Sequence, residues 1–291
     1  MSPRVSVIIP HYQNLEGLDA CLEALGRQTY AADQFEVIVS DNNSPVGEAA
    51  VSQAVAGRAR LTVTLERGAG PARNGGVAVA RGSVLAFTDC DCIPEPAWLQ
   101  EGVTALGAYD FVGGRMKVLV NDGARLSAAE AFESAYAFDN EAYVRRKGFT
   151  VTANLFCPRV LFDEIGGFDA AVSEDIDWSH RARAAGYRIG YAATAVVGHP
   201  ARRTWRELIA KWRRMNAEQF ALYRRRRFGR LVWFVRTCLL PVSTLFHAYR
   251  ALGSRNLRSA GQRLGALGVL AGLRCWRCAD GLRLLMVSWR S

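Results

Sequence analysis

The chain has 291 residues, 50% of them hydrophobic and 22% charged, with 27 glycines, which excludes a disordered tail, a collagen-like repeat and a polytopic membrane protein. The net charge of +10 is unevenly placed: residues 1–200 hold 17 Lys and Arg against 24 Asp and Glu (net −7), and residues 201–291 hold 20 against 3 (net +17). An acidic body that carries the chemistry and a basic tail with an anionic partner are expected. In chain order, Val5–Ile9 is a continuous apolar run, the pattern of a strand covered on both faces. Leucines at 15, 18, 22 and 25 give residues 15–27 helical spacing. Strands are predicted over 35–40, 61–65 and 84–88, separated by helices over 47–56 and 71–80, with Pro71 in the first turn of the second. This βαβαβαβ order predicts an α/β fold with a largely parallel, Rossmann-like sheet flanked by helices. Further on, the spacing predicts a helix over 98–106, a strand over 111–120, a helix over 127–146, a strand over 151–156, a helix over 174–185 and two short strands ending at His199.

The tail from residue 201 reads as basic, amphipathic and helical. Trp205, Leu208, Ile209, Trp212, Met215, Phe220 and Tyr223 fall near one helical face, and Arg224–Arg227 is a block of four arginines. Residues 231–249 are uncharged apart from Arg236 and contain Pro241. No stretch reaches the ~20 apolar residues that cross a bilayer. The expectation is a peptide lying in the headgroup layer with snorkelling arginines, a single tilted span or a re-entrant hairpin being the alternatives. Val5–Ile9 is too short for a secretory signal and ends at Pro10. Seven cysteines without framework spacing point to a reducing compartment and buried thiols. The Cys275-Trp276-Arg277-Cys278 pair lacks the second pair that a zinc site requires.

Ligands of such sheets bind beyond the carboxyl ends of the strands, so the residues there are the candidates. Asp89 and Asp91 follow the fourth predicted strand, and two carboxylates at that spacing can hold one hard divalent cation. A turn or a helix cap produces the same tripeptide. Asp41 ends the second strand, where a base or ribose would lie, and is also an ordinary turn residue. Pro10, His11 and Tyr12 end the first strand, where an aromatic ring could stack on a base or simply pack. Arg73 leads the helix before the fourth strand and could reach phosphate or face solvent. Glu174-Asp175-Ile176-Asp177-Trp178 clusters acids at a helix start, as dipole partners or as a general base beside a flat ring for a sugar. His199 follows a strand, as a structural histidine or as a nitrogen ligand beside Asp91.

Taken together, residues 3–200 resemble glycosyltransferase family 2, with its GT-A fold. The motifs are Val5–Asn14, Asp41, Ala72-Arg73-Asn74-Gly75-Gly76, Phe87-Thr88-Asp89-Cys90-Asp91, Gly166-Gly167-Phe168-Asp169, Glu174–Trp178 and His199. The resemblance implies a catalytic domain over 1–200; the charge of 201–291, with Trp205, Trp212, Trp233, Trp276 and Trp289, points to a membrane-associating region at an anionic surface. It implies that Pro10, Tyr12 and Asp41 line a nucleotide pocket, usually for uridine, and that Asp89 contacts ribose or the metal's water shell. Asp91 would hold Mn2+ or Mg2+ with His199 completing the contacts, and Asp175 would be the catalytic base. Glu174 and Trp178 would shape the acceptor side, and the reaction would invert the anomeric centre. Two departures stand out: Gln13 intervenes before Asn14, and the Gln/Arg-x-x-Arg-Trp motif of processive synthases is absent. One sugar per event is therefore expected, from a UDP-sugar to a polyprenyl-diphosphate-linked glycan in bacterial polysaccharide synthesis, at the cytoplasmic face of the inner membrane. The basic tail would meet the anionic membrane surface, and no nucleic acid is expected. The competing readings are a sugar nucleotidyltransferase, which would want a Gly-rich phosphate loop near residue 10, and a nucleic-acid-binding protein, which the acidic body opposes.

Overall fold

The first apolar run forms strand β1 (Val5–His11), fully buried along most of its length, in a computed structural model that describes residues 3–170 and 172–290. Helix α1 (Leu15–Gly26), β2 (Phe35–Asp41), α2 (Glu48–Val55), β3 (Arg60–Val63), α3 (Ala69–Val79) and β4 (Val84–Phe87) follow in the expected alternation. Strand β1 pairs in parallel with β2 and β4, and β2 with β3. The chain then adds β5 (Ile93–Pro94), α4 (Trp98–Ala105), β6 (Phe111–Leu119), α5 (Ala128–Tyr136), α6 (Asn140–Ala142), β7 (Leu155–Pro158), α7 (Arg159–Ile165), α8 (Glu174–Ala184) and β8 (Ile189–Pro200). The eight strands lie in one sheet, ordered β3-β2-β1-β4-β7-β6-β8-β5. Parallel pairing belongs to the β3-β2-β1-β4 half. Strand β7 runs antiparallel to β4 and β6, and β5 antiparallel to β8.

The chain divides into two compact units. One comprises Met1–Lys117, Asp139–Ala170 and Glu174–His199; the other comprises Val118–Phe138, Ala171–Ser173 and Pro200–Ser291. A single cut at residue 200 was expected, but the segment around α5 groups with the C-terminal helices. The continuous helix expected over 127–146 is accordingly broken. A Ser127–Glu130 capping box starts α5, and the helix stops at Ala137. Phe138 takes a left-handed φ of 50°, and α6 runs on into a π-helical turn, Tyr143–Lys147. The break falls where the chain passes from one unit to the other, a tertiary demand that helical periodicity does not register. The two short strands expected before His199 are one twelve-residue strand.

The core of the first unit is aromatic. Phe87, Phe111, Phe162, Phe168 and Trp178 are buried together with Ile8, Ile38 and Leu85. Phe168 meets Phe87 edge-on at 5.3 Å between ring centroids, a preferred aromatic geometry. Gly76 lets α3 approach the sheet, because a β-carbon there would meet the Ile8 side chain at 2.7 Å.

The second unit is helical. To α5 it adds α9 (Trp205–Arg224), α10 (Gly229–Cys238), α11 (Ser243–Leu252) and α12 (Ala260–Arg290). Its core joins Phe132, Leu208, Ala251, Leu257, Leu270 and Leu273, with a second cluster of Phe220, Trp233 and Leu285. Buried Glu133 accepts from Arg202 at 3.2 Å and from Lys211 at 2.9 Å. Burial alone would raise the Glu133 carboxyl, but Lys211 and Arg202 outweigh it and hold it below its usual range.

Of the expected interfacial tryptophans, Trp205 is exposed and the others whose side chains are described are not. Trp233 is buried, and Trp212 and Trp276 pack against the core of this unit; Trp289 lies outside the side chains described. Further exposed apolar residues lie on α10 and α11, Leu231, Phe234, Leu245, Phe246 and Tyr249 among them. No single described helix is long and apolar enough to cross a membrane. Helices α10 and α11 pass that test only together, bent by 58° at the break around Pro241.

A close approach in the first unit tests its packing. Gly102 of α4 faces Phe156 of β7 so closely that a β-carbon would overlap the ring. Gly102→Val is expected to cost about 1–3 kcal/mol by overpacking, read as a lowered midpoint in thermal or urea unfolding.

Candidate active site

The strand ends of the first unit converge on one edge of the sheet, and the turn chemistry there sets each side chain. Strand β1 stops at His11. Half-buried Pro10 stands in register with Ser40 of β2, and Tyr12 is 55% exposed. Gln13 takes a left-handed φ of 61°, and its N–H donates to Ser44 Oγ at 3.0 Å. Asn14 caps α1 by accepting from the Gly17 N–H. The inserted Gln13 thus makes the turn that frees Asn14 for the cap.

Asp41, at the end of β2, is buried and already engaged. Its carboxylate accepts from the Ser44 N–H at 2.9 Å, from Ser44 Oγ at 2.5 Å and from His11 Nδ1 at 2.7 Å. Burial alone would raise this carboxyl; the Ser44 and His11 bonds outweigh it and hold it below its usual value. An ionised carboxylate has only acceptors, so the His11 Nδ1 carries the proton it shares with Asp41. Asp41 therefore ties the loop after β1 to the loop after β2.

Arg73 does not point to solvent, nor does it stand free to meet a phosphate. It is buried in α3, and its fork spans two acids from distant stretches of chain. Nη2 donates to Asp89 Oδ1 at 2.6 Å, and Nη1 donates to Glu174 Oε1 at 2.8 Å. Burial alone would lower the guanidinium pKa, but the two carboxylates more than reverse that, and the net shift is upward. The planar fork of arginine suits this bridge, since each nitrogen faces a separate carboxylate. Asn74, the next residue, staples the same loop. Its amide accepts from the Phe168 N–H and donates to the Phe168 carbonyl, both at 2.9 Å. Gly167 is small because a β-carbon there would meet the Asn74 side chain at 2.7 Å.

Asp91 and His199 also come together. Strand β5 pairs with β8 through Ile93 and Gly198, which sets His199 Nε2 3.6 Å from Asp91 Oδ2. Ligand atoms of Asp89, Asp91 and Cys92 lie within 4.8 Å of one another. Burial first, then the two aspartates, push the Cys92 thiol pKa well above its usual value. Cys92 therefore stays a protonated, buried thiol. The remaining donors are two carboxylates with a nearby imidazole, a set that fits a hard divalent cation such as Mg2+ or Mn2+.

Helix α8 presents Glu174, Asp175 and Asp177 in its first turn, where the helix dipole favours them. Asp175 Oδ1 accepts from the Ile176 N–H at 2.8 Å. Asp177 accepts from Arg181 one turn on. Asp175 stands one residue beyond Glu174, which shares a guanidinium with Asp89. Trp178 overturns the expectation placed on it. It is fully buried, edge-on to Phe111 at 5.5 Å, and its Nε1 donates to the Gly166 carbonyl at 3.0 Å. No face is left for a sugar; one helical turn past the acids, its position turns it inward to anchor α8. Sequence reasoning also passed over Ser44, for which a serine three residues after a strand-end aspartate was the only signal.

A sequence model described as Glycosyl transferase family 2 matches residues 6–169. The chain is similar to the glycosyltransferase AglE of Haloferax volcanii, 32% identical over 247 residues, which cover 80% of each chain. It is similar to the pre-mycofactocin glycosyltransferase of Mycobacterium tuberculosis, 29% identical over 219 residues, 71% of this chain and 45% of that one. Among solved structures it is similar to a mannosyltransferase of Pyrobaculum calidifontis in complex with GDP-mannose and Mn2+. That likeness has a TM-score of 0.56 and 19% identity, covering 100% of this chain and 76% of that chain, and is a likeness of fold.

Two measurements test this geometry. Arg73→Gln strands two facing carboxylates and is expected to cost about 3 kcal/mol; Arg73→Lys, which cannot span both acids, should recover only part of it in urea unfolding. The depressed Asp41 carboxyl contributes stability that is present above its ordinary value of 3.8 and is lost as the pH falls through its lower folded value. Between about pH 5 and pH 2, Asp41→Asn should therefore lose less stability than the unaltered chain.

Proposed function

The chain belongs to glycosyltransferase family 2, and within that family we propose that it moves one sugar from a UDP-sugar to a hydroxyl of a lipid-linked glycan, with inversion at the anomeric carbon. The observation that carries this reading is the Arg73 bridge, which gathers Asp89 and Glu174, and with them the neighbouring Asp91 and Asp175, at one edge of the sheet.

The roles follow from that arrangement. Tyr12 offers an exposed ring beside the loops tied by Asp41, a surface for a base to stack on. Asp89 and Asp91 would hold a divalent cation, Mn2+ or Mg2+, with His199 beside Asp91. When bound there, the cation supplies Lewis-acid neutralisation of the diphosphate leaving group. Asp175 takes the proton of the acceptor hydroxyl as the new glycosidic bond forms. The carbon–oxygen bond to the diphosphate breaks in the same displacement, and the bonding pair leaves with the nucleotide. Glu174, held by Arg73, acts as a positioning residue that fixes the first turn of α8, and so the Asp175 carboxylate. Alignment of hydroxyl, anomeric carbon and leaving oxygen supplies the rest of the acceleration.

The second unit is proposed to work at an anionic bilayer surface on the cytoplasmic side, as a peripheral or monotopic element. Its support is the net +17 of residues 201–291 together with the exposed apolar side chains of α10 and α11. Each basic residue near such a surface adds about 1 kcal/mol. An acceptor carried on a polyprenyl diphosphate would be presented at that surface.

Asp175→Asn is expected to lower the rate of sugar transfer by ~10²–10⁴-fold while leaving donor binding intact. Asp91→Ala should abolish the Mn2+-dependent part of UDP binding in calorimetry. Transfer by Asp175→Asn at the unaltered rate would remove the base assignment, and unchanged Mn2+ dependence in Asp91→Ala would remove the metal assignment. Comparing UDP with GDP in the same titration decides the nucleotide.

A further inference from the structure

Within the second unit, α10, the start of α11 and α12 line a groove of about 650 Å³ that the catalytic reading does not use. One wall is apolar: Leu231, Val232, Val235 and Leu239, each between 49% and 61% exposed. The groove also holds two arginines, Arg236 of α10 and Arg274 of α12. Arg236 donates from Nη2 to Gln219 Oε1 at 2.9 Å, and its Nη1 is buried with no hydrogen-bond partner among the described residues. The rest of that guanidinium rests on aromatic faces, 5.3 Å from the Trp233 ring centre and 5.6 Å from that of Tyr223. Arg274 donates to Ser243 Oγ at 2.9 Å.

Neither arginine has a carboxylate partner among the described residues, which is uncommon for guanidinium groups held this close to a helical core. Both act on a third arginine. Buried Arg277 lies over Trp212 at 4.0 Å, and burial first, then Arg236 and Arg274, push its pKa down to about 9. The groove thus holds two arginines without a carboxylate partner among the described residues, with exposed apolar side chains beside them.

We propose that this groove seats one anionic phospholipid molecule, its phosphodiester between Arg236 and Arg274 and an acyl chain along Leu231, Val235 and Leu239. The occupant follows from the pairing of features. A soluble phosphate would leave the apolar wall in water, and an apolar helix would leave the arginines uncompensated. A phosphate-headed lipid satisfies both. The exposed Leu245, Phe246 and Tyr249 of α11 extend the same apolar character beyond the groove. This deepens the reading of the second unit as a bilayer-surface element and rests on it: the lipid would give that element a defined contact in place of a diffuse electrostatic one.

The test uses the full chain with phosphatidylglycerol as the probe. Native mass spectrometry should show one phosphatidylglycerol retained per chain, not displaced by inorganic phosphate. Arg236→Gln with Arg274→Gln should lower that occupancy by roughly tenfold, as the loss of two charge-assisted contacts implies. Leu239→Glu, at an exposed wall position that leaves the core untouched, should lower it similarly. Arg255→Gln with Arg258→Gln removes the same charge from exposed positions elsewhere in the unit and should leave occupancy unchanged. Equal loss in both arginine pairs, or displacement by phosphate, would overturn the groove assignment. Flotation of the unaltered chain with phosphatidylglycerol vesicles reports separately on the surface reading: no flotation overturns that reading, whereas flotation without a retained lipid overturns the groove alone.

Discussion

One buried guanidinium organises the candidate active site. Arg73 sits in α3, reaches Asp89 beyond β4 with one nitrogen and Glu174 at the start of α8 with another, and so joins segments separated by 85 residues in sequence. Two carboxylates brought this close would repel each other without it, and the charge between them makes the approach favourable. The same bridge holds Glu174 in the first turn of α8, next to Asp175. Trp178, one turn further on, locks the helix to the aromatic core, and Asn74 fastens the loop that leads into it. The proposed base thus adjoins Glu174, the proposed metal-holding acids include Asp89, and one guanidinium joins these two.

The frame has a second anchor at the ends of β1 and β2. Asp41 spends its carboxylate on Ser44 and His11, which joins the turns after β1 and β2. Both anchors follow one scheme: a charged group is buried, compensated on the spot by partners from another segment, and used to hold a loop. The groups left more open, Tyr12 and the Asp89–Asp91 pair, are the ones the proposed chemistry requires. In the second unit the scheme is incomplete. Glu133 is compensated by Arg202 and Lys211, but Arg236 and Arg274 have no such carboxylate among the described residues. That contrast within one helical unit directs attention to a ligand.

The alternation of apolar runs and helical stretches was enough to place β1 to β4 with their intervening helices, because each of these signals is local. The strand-end acids were legible for the same reason: a carboxylate directly after an apolar run has few places to go in a parallel sheet. Periodicity did worse where the chain changes unit. Within residues 127–146 the local mark of the turn at Phe138 is Asp139, which caps α6 directly after it; helical periodicity passes over that cap. Trp212, Trp233 and Trp276 were misread for a related reason. An aromatic on an amphipathic helix suits a bilayer interface and a helical core equally well, and only the neighbouring helices decide between them.

The residues alone carried the α/β alternation, the asymmetry of charge, the acids on which catalysis is proposed to rest and a resemblance to the family, which the match over residues 6–169 then showed. Whether Arg73 faces a ligand or a pair of acids, whether Trp178 is a platform or a core residue, and where Arg236 and Arg274 go uncompensated were decided by the folded chain. Each of these depends on what a side chain meets from segments far away in sequence. Burial and charge compensation are properties of that meeting, not of the residue.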